Sequence, residues 1–430
     1  MRPQILKLST RLTLFICLAF LIVPLPFAHE AVIAAPPQSG LVCTTGASPN
    51  PNFTLTTRAD YITLPDGNTV LMWSFAPGNG SFQYPGPNLC VQQGDTVTIT
   101  LNNTLSEPVS LMFPGMENVQ ANGVPSQPQF NAGTLASLAP TAPTGGSATY
   151  SFVASQPGTY LYESGTSMGK QVQMGLFGAL IVRPSIGAQY AYDASTRFNP
   201  AAEFIMLFSE IDPALHQAVE RNQPYNVTTY HPRYWMINGR AFPDTIAPNN
   251  AAWLIGQPYG ALVHIRPRDA SNPDPALVRY LNVGNLNHPF HPHGNHGRVI
   301  ARDARVLRGP AAQDLSYEKF AVTIGAGQTW DALYDWADAE GWKPNTNPIP
   351  VVIPQLQNLQ FKDNATWYSG SPYLGYQDDL PSGVVSYNEC GEYYMVWHSH
   401  ALNEAANFDA GFGGMMTLQR IDPPLPNACP

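Results

Sequence analysis

The chain carries the same strand–loop–strand pattern twice, and this repeat constrains the fold more than any other feature. The first copy runs Gly158-Thr159-Tyr160-Leu161-Tyr162-Glu163-Ser164-Gly165 and then Gly175-Leu176-Phe177-Gly178-Ala179-Leu180-Ile181-Val182. The second runs Gly391-Glu392-Tyr393-Tyr394-Met395-Val396-Trp397-His398-Ser399-His400 and then Gly413-Gly414-Met415-Met416-Thr417-Leu418. Self-similarity of this kind marks a repeated architectural unit. It predicts one β-sandwich at about 50–185 and a second at about 200–421, joined by 186–200. Strand alternation agrees, as in Val97-Thr98-Ile99-Thr100-Leu101 and Ala261-Leu262-Val263-His264-Ile265. Pro (42) and Gly (35) are abundant while charged residues make up only 12 %, which suits turn-rich β-architecture. Helical patterns are confined to 211–221 and 334–340. The Pro-rich, aromatic stretch 337–390 reads as a long insertion in the second unit, a common cover for functional sites.

The amino terminus reads as an address. Arg2, Lys7 and Arg11 precede an apolar run from Leu12 to about Ala28, with small residues at Ala31, Ala34 and Ala35. A signal peptide over 1–35 and a secreted or periplasmic, cell-envelope location are expected. Pro24 and Pro26 interrupt the run and argue against an uncleaved anchor, so no stable membrane span is expected after cleavage. Past the leader four cysteines remain, Cys43, Cys90, Cys390 and Cys429, in no metal-binding spacing. They allow three pairings. Cys43–Cys90 and Cys390–Cys429 are favoured, because each would staple a chain end to its own unit. The formal charge of −9 excludes nucleic acid as a partner class.

Chemistry concentrates in two histidine clusters, which hold six of the ten histidines. One is His288-Pro289-Phe290-His291-Pro292-His293-Gly294-Asn295-His296, and the other is His398-Ser399-His400. Random placement at this frequency gives roughly 0.2 His-x-His pairs, whereas the chain has two. Residues two apart on a strand share a face. His291 with His293, and His398 with His400, therefore present four imidazoles together, while His288 and Ser399 face the other way. Imidazole suits copper, zinc, iron or nickel, and copper is the leading choice in an exported protein without a carboxylate cluster. His216, His231 and His264 stand alone and read as structural, and His296 as a loop residue.

The first cluster resembles the multicopper oxidase motif His-Pro-x-His-x-His-Gly, and the second resembles that family's closing His-Cys-His. Tyr84-Pro85-Gly86-Pro87, running on to Gln93-Gly94-Asp95-Thr96-Val97, and Trp235-Met236-Ile237-Asn238-Gly239-Arg240-Ala241-Phe242-Pro243-Asp244 are similar to other family segments. The resemblance implies an all-β protein of two cupredoxin-like Greek-key β-sandwich domains, similar to two-domain laccase-like members. It implies His288 as a type 1 copper ligand, His291 as the type 2 ligand, and His293, His398 and His400 as type 3 ligands.

The departures from the family are chemical. Ser399 stands at the type 1 cysteine and Glu404 at the second type 1 histidine. A serine hydroxyl supplies no soft thiolate. Met415 or Met416 stands at the axial position, where core packing is the simpler reading. In the first unit, Met112-Phe113-Pro114-Gly115 and Glu163-Ser164-Gly165 replace both His-x-His pairs, leaving Met112 and Glu163 as substitute donors. Three functions compete. One is an exported copper-binding protein without conventional laccase activity. Another is an oxidoreductase with a single copper and a small oxidisable substrate. The last is an interaction module with relic histidines. A homo-oligomer is compatible with all three.

Overall fold

The computed structural model describes residues 39–336 and 393–422. The leader, the stretch 337–390, Cys390 and Cys429 lie outside the described residues, and so do the expectations placed on them. Within the described chain, β-branched alternation produces the expected strands. Along Thr96–Asn102, Val97, Ile99 and Leu101 are fully buried while the threonines face outward. Val263–Ile265 buries both ends and turns His264 outward to Asp422, with 2.6 Å between Nε2 and Oδ2.

Four principal sheets result. The order Thr44–Thr45, Leu89–Gln92, Phe177–Arg183, Gly158–Glu163 forms one. A six-stranded sheet centred on Asn52–Thr63, Thr96–Asn102 and Ser147–Val153 faces it. Between them lie Phe53, Phe75, Leu101, Tyr150, Tyr162 and Leu180, a single apolar core. The Cys43–Cys90 disulfide ties the edge strand down, with Cα atoms 5.5 Å apart.

The second sandwich repeats this plan with later residues. A nine-stranded sheet runs through Thr329–Tyr334, Ala276–Asn282, Glu203–Ile211 and Tyr234–Ile237. The opposing sheet has the order Val263–Ile265, Met416–Ile421, Tyr393–Ser399, His288–Pro292, Val322–Ile324. Phe208, Tyr280, Phe290, Tyr334 and Trp397 fill the space between. Both sandwiches mix parallel with antiparallel pairs: Asn52–Thr63 runs parallel to Thr96–Asn102, and Glu203–Ile211 parallel to Ala276–Asn282.

The two sandwiches share a buried seam in which Ile62, Met72 and Phe177 pack with Ile205, Met236 and Leu281. A charged knot reinforces it. The fully buried Arg279 donates to Glu203 at 2.7 Å and to Thr159 at 2.8 Å, and Glu203 also receives Arg183. Removing one member would leave a buried charge without its partner, which is costly.

Helix is sparse. Pro213–Glu220 fulfils the expectation at 211–221, with Asp212 capping the Ala214 N–H at 2.8 Å. The expected helix at 334–340 is corrected over its described part. Tyr334 ends a fully buried strand, because its ring packs into the core against Trp397 at 4.7 Å. The short helix Met168–Gln171 carried no periodic signal in the sequence. Among the described residues no helix is long and apolar enough to cross a membrane.

Candidate metal centre

The two histidine strands are neighbours. His288–Pro292 pairs antiparallel with Tyr393–Ser399, placing His291 opposite His398 and Phe290 opposite Ser399. On His288–Pro292 burial alternates: His288, Phe290 and Pro292 point into the sandwich, and His291 does not. Backbone bonds continue the ladder past the prolines. The His293 N–H donates to the Val396 carbonyl at 3.1 Å and the His400 N–H to the Pro289 carbonyl at 2.8 Å. The Trp397 indole N–H donates to the His293 carbonyl at 3.2 Å. Gly294 follows at φ +85°, and a Cβ there would meet the Met395 side chain at 2.8 Å, so the sharp exit requires glycine.

All four imidazoles lie together on one face. Ring centroids are 4.5 Å apart for His291 and His293, 5.1 Å for His293 and His398, and 5.1 Å for His291 and His400. His398 and His400 stack at 5.8 Å. His291, His293 and His398 each offer a nitrogen within 4.8 Å of the others, and all three are half-buried. His400 joins as an exposed flank.

The protons are placed by what surrounds the rings. His398 Nδ1 lies 2.7 Å from the Ser399 carbonyl, which only accepts, so Nδ1 carries the hydrogen and Nε2 keeps its lone pair. That Nε2 is 3.1 Å from His293 Nε2. His291 Nδ1 is buried without a hydrogen-bond partner in the described structure. Such a buried nitrogen calls for a partner, and the three histidines together offer the donors that a metal ion needs. Burial first, and neighbouring imidazoles second, hold the His291 and His293 pKa values below the usual histidine range, His293 at about 4. His398 is lowered too, by burial, against the opposing pull of the Ser399 carbonyl. The three rings are therefore neutral near pH 7, the form that binds metal.

His288 does not join this group. It is fully buried on the opposite face, with Nδ1 2.9 Å from Glu404 Oε2 and Nε2 3.3 Å from Glu210 Oε2. Both neighbours are carboxylates, so both ring nitrogens donate and no lone pair is left for a metal. Burial opposes the charge, but the hydrogen bonds and charges of Glu210 and Glu404 outweigh it and raise the pKa to about 9. Ser399 donates to the same Glu404 oxygen at 2.5 Å. Met415 is fully buried in the apolar core. The three positions that resemble a type 1 copper site thus converge, but they form an ion pair and a hydroxyl bond.

In the first sandwich Met112 and Glu163 face each other across a bridge, joined by backbone bonds of 2.7 and 3.1 Å. The Met112 thioether lies over Gly165, where a Cβ would come within 2.7 Å of Met112 Cγ, and it borders an open cavity of about 630 Å³. Burial pushes the Glu163 carboxyl up to about 7. Nearby, Ser110, Ser137 and Thr166 satisfy one another at 2.8–3.1 Å, a hydroxyl cluster rather than a ligand set.

His216, His231 and His264 hold ordinary positions. His216 Nδ1 bonds the Leu71 carbonyl at 2.7 Å, and the His231 N–H donates to Asp212. His296 is exposed, its ring 6.1 Å from Phe320, which also stands 5.6 Å from His291. Sequence reasoning missed Glu210 and Phe320. The signal for Glu210 was available: it is an acid inside Glu203–Ile211, an otherwise largely apolar strand that is buried throughout. Phe320 carried no pattern.

Two face-packed sandwiches of mixed strands define a cupredoxin-like all-β protein. The solved structures it matches include the multicopper oxidase mgLAC (TM-score 0.57, 18 % identity, 87 % of this chain and 86 % of that one). Another is the blue copper oxidase of Nitrosomonas europaea (0.56, 18 %, 86 % of each). In sequence, residues 78–186 match the multicopper oxidase family model. Laccase-25 of Oryza sativa subsp. japonica is 26 % identical over 80 % of this chain and 52 % of its own length. L-ascorbate oxidase of Cucurbita maxima is 32 % identical over 64 % and 47 %. The chain is therefore multicopper oxidase-like in fold and, over residues 78–186, in sequence, and copper is the metal that this family uses. It spans about half the length of the curated relatives it matches.

Proposed function

We propose that this chain is an exported copper-binding protein, secreted or held in the cell envelope, that has lost conventional laccase chemistry. His291, His293 and His398 hold one copper ion, and His400 flanks the exposed side. The observation that carries this reading is the grouping of three half-buried imidazoles that each offer a nitrogen within 4.8 Å of the others. In this reading each sandwich is one domain, about 50–185 and 200–421, and the first is depleted of ligands. Met112, Glu163, His288 and Glu404 are not ligands of that ion. The Cys43–Cys90 disulfide supports an oxidising destination.

Two losses argue against oxidase turnover. Ser399 offers no thiolate to relay electrons, and imidazoles are missing at Met112, Pro114, Glu163 and Gly165. Bound copper would supply a Lewis-acidic, redox-active centre; the chain's own contribution is to fix three lone pairs and keep them unprotonated. A second reading, a single-copper oxidoreductase acting on a small oxidisable substrate, is favoured by one observation: His400 and Phe320 leave the mouth of the cluster exposed.

Elemental analysis and electron paramagnetic resonance of the native protein test the site, beside a His293→Ala, His398→Ala double variant. One copper per chain in the native protein, absent from the double variant, is expected. Undiminished copper in the variant would falsify the site. Turnover of a phenolic reductant by the loaded protein favours the second reading.

A further inference from the structure

Glu404 sits behind the metal face and touches both strands that carry the ligands. Its Oε2 atom pairs with His288, three residues before His291, and accepts from Ser399, which lies between His398 and His400. Glu404 itself is well fixed. It is 3 % exposed, its N–H donates to the Ala401 carbonyl, and its carbonyl accepts from the Met415 N–H, both at 2.8 Å. His288 is held from the far side as well. Glu210 reaches it from Glu203–Ile211 in the opposing sheet, and Glu210 in turn accepts from the Asn285 N–H at 2.5 Å and from Tyr230 OH at 2.9 Å. Gly284 leaves room for this carboxylate, since a Cβ there would lie 1.8 Å from Glu210 Oε2.

The resulting chain, Glu210–His288–Glu404–Ser399, crosses the sandwich and ends in the middle of the His398-Ser399-His400 strand. Charge-assisted bonds are short and directional, and they fix geometry more firmly than a backbone ladder between neutral groups. A donor nitrogen must be held within about half an ångström of its productive place for a site to bind tightly. We propose that Glu404 is a positioning residue for the metal site. In this role it holds the two ligand strands in mutual register from the back face through His288 and Ser399, while Glu210 bolts His288 to the opposite sheet. This inference rests on the copper reading above.

The test compares Glu404→Gln, Ser399→Ala and Tyr230→Phe in the full-length chain, titrated with Cu(II). Each is followed by electron paramagnetic resonance, copper affinity and thermal midpoint. Glu404→Gln keeps an acceptor for Ser399 but breaks the ion pair. Ser399→Ala removes the branch to the second ligand strand together with the weaker 3.3 Å bond that Oγ accepts from the Ala401 N–H, and it remains readable if Glu404→Gln does not fold. Tyr230→Phe trims the outer end of the chain, which touches neither ligand strand. The expected result is a changed copper hyperfine pattern and about a 10-fold or greater loss of affinity in Glu404→Gln and Ser399→Ala, the size typical of outer partners of metal ligands. Tyr230→Phe is expected to lower only the midpoint. Spectra and affinities within twofold of wild type in folded Glu404→Gln and Ser399→Ala overturn the positioning role and leave the copper site standing. A wild-type chain that takes up no copper overturns both.

Discussion

The two sandwiches share a plan but not a chemistry. At matching places the second presents His398-Ser399-His400 and the first Glu163-Ser164-Gly165. Each triplet sits at or just past the end of a strand beside a buried apolar core, so packing preserves the frame whatever side chains face outward. Ligand positions are free to change once they point away from the core. In the first sandwich these places hold a thioether over glycine and a carboxyl of raised pKa, and in the second they hold imidazoles.

The largest expected contrast is in metal affinity. His293→Ala with His398→Ala should weaken copper binding by more than about 100-fold, beyond the loss typical of outer-shell changes. Met112→Leu with Glu163→Gln should change it less than about twofold. Equilibrium competition against a chelator measures both, and equal losses would erase the distinction between the sandwiches.

Core truncation comes next. Trp397 and Phe75 are both fully buried, and replacing either with alanine should cost about 3–5 kcal/mol by denaturant unfolding. Only Trp397→Ala should also disturb copper, because its indole holds the His293 carbonyl. Copper affinity lowered equally by Phe75→Ala would show that the seam transmits damage between sandwiches.

A subtler contrast lies on the two faces of one strand. The folded-state pKa of His293 is depressed to about 4, so the folded chain binds fewer protons than the unfolded chain, whose histidine titrates near 6.5. Its stability contribution is present above that value and is lost as pH falls toward 4. The His288 pKa is raised to about 9, so its contribution is complete below about 6.5 and is lost as pH rises through 9. Urea midpoints of the metal-free protein should fall on both limbs. His293→Ala should flatten the acid limb and His288→Gln the alkaline one; a swap of those assignments would refute the two-faced picture.

The last contrast belongs to Glu163. A carboxyl whose folded pKa is raised to about 7 loses stability as pH rises from about 4.5 to 7, because the unfolded chain ionises first. Glu163→Gln should raise the midpoint at pH 8 and leave it unchanged at pH 4. No gain at pH 8 would mean that the carboxyl is well solvated.

Much of the site was legible because strand periodicity converts spacing into direction. His-x-His within a strand fixes two rings on one face, and the shared face of His291, His293, His398 and His400 follows once the strands pair. The opposite orientation of His288 and Ser399 follows from the same rule. What filled the back face was not legible, since Glu210 is 78 residues from His288 and only folding brings them together. The Cys43–Cys90 pairing was one of three possibilities, and strand pairing of Thr44 with Leu89 decided it in space. The helix at Met168–Gln171 escaped because a single turn has no period to read.

The Ser399 hydroxyl rests against a carboxylate, which bears on what other side chain this position could carry. A cysteine installed there alone would have its sulfur facing Glu404, and a negative neighbour discourages the thiolate form. The adjoining imidazole is already committed on both nitrogens. A thiolate there would need Glu404 exchanged as well, and losing that carboxylate takes from the buried imidazole one of its two counter-charges, so electrostatics ties these neighbours to one another.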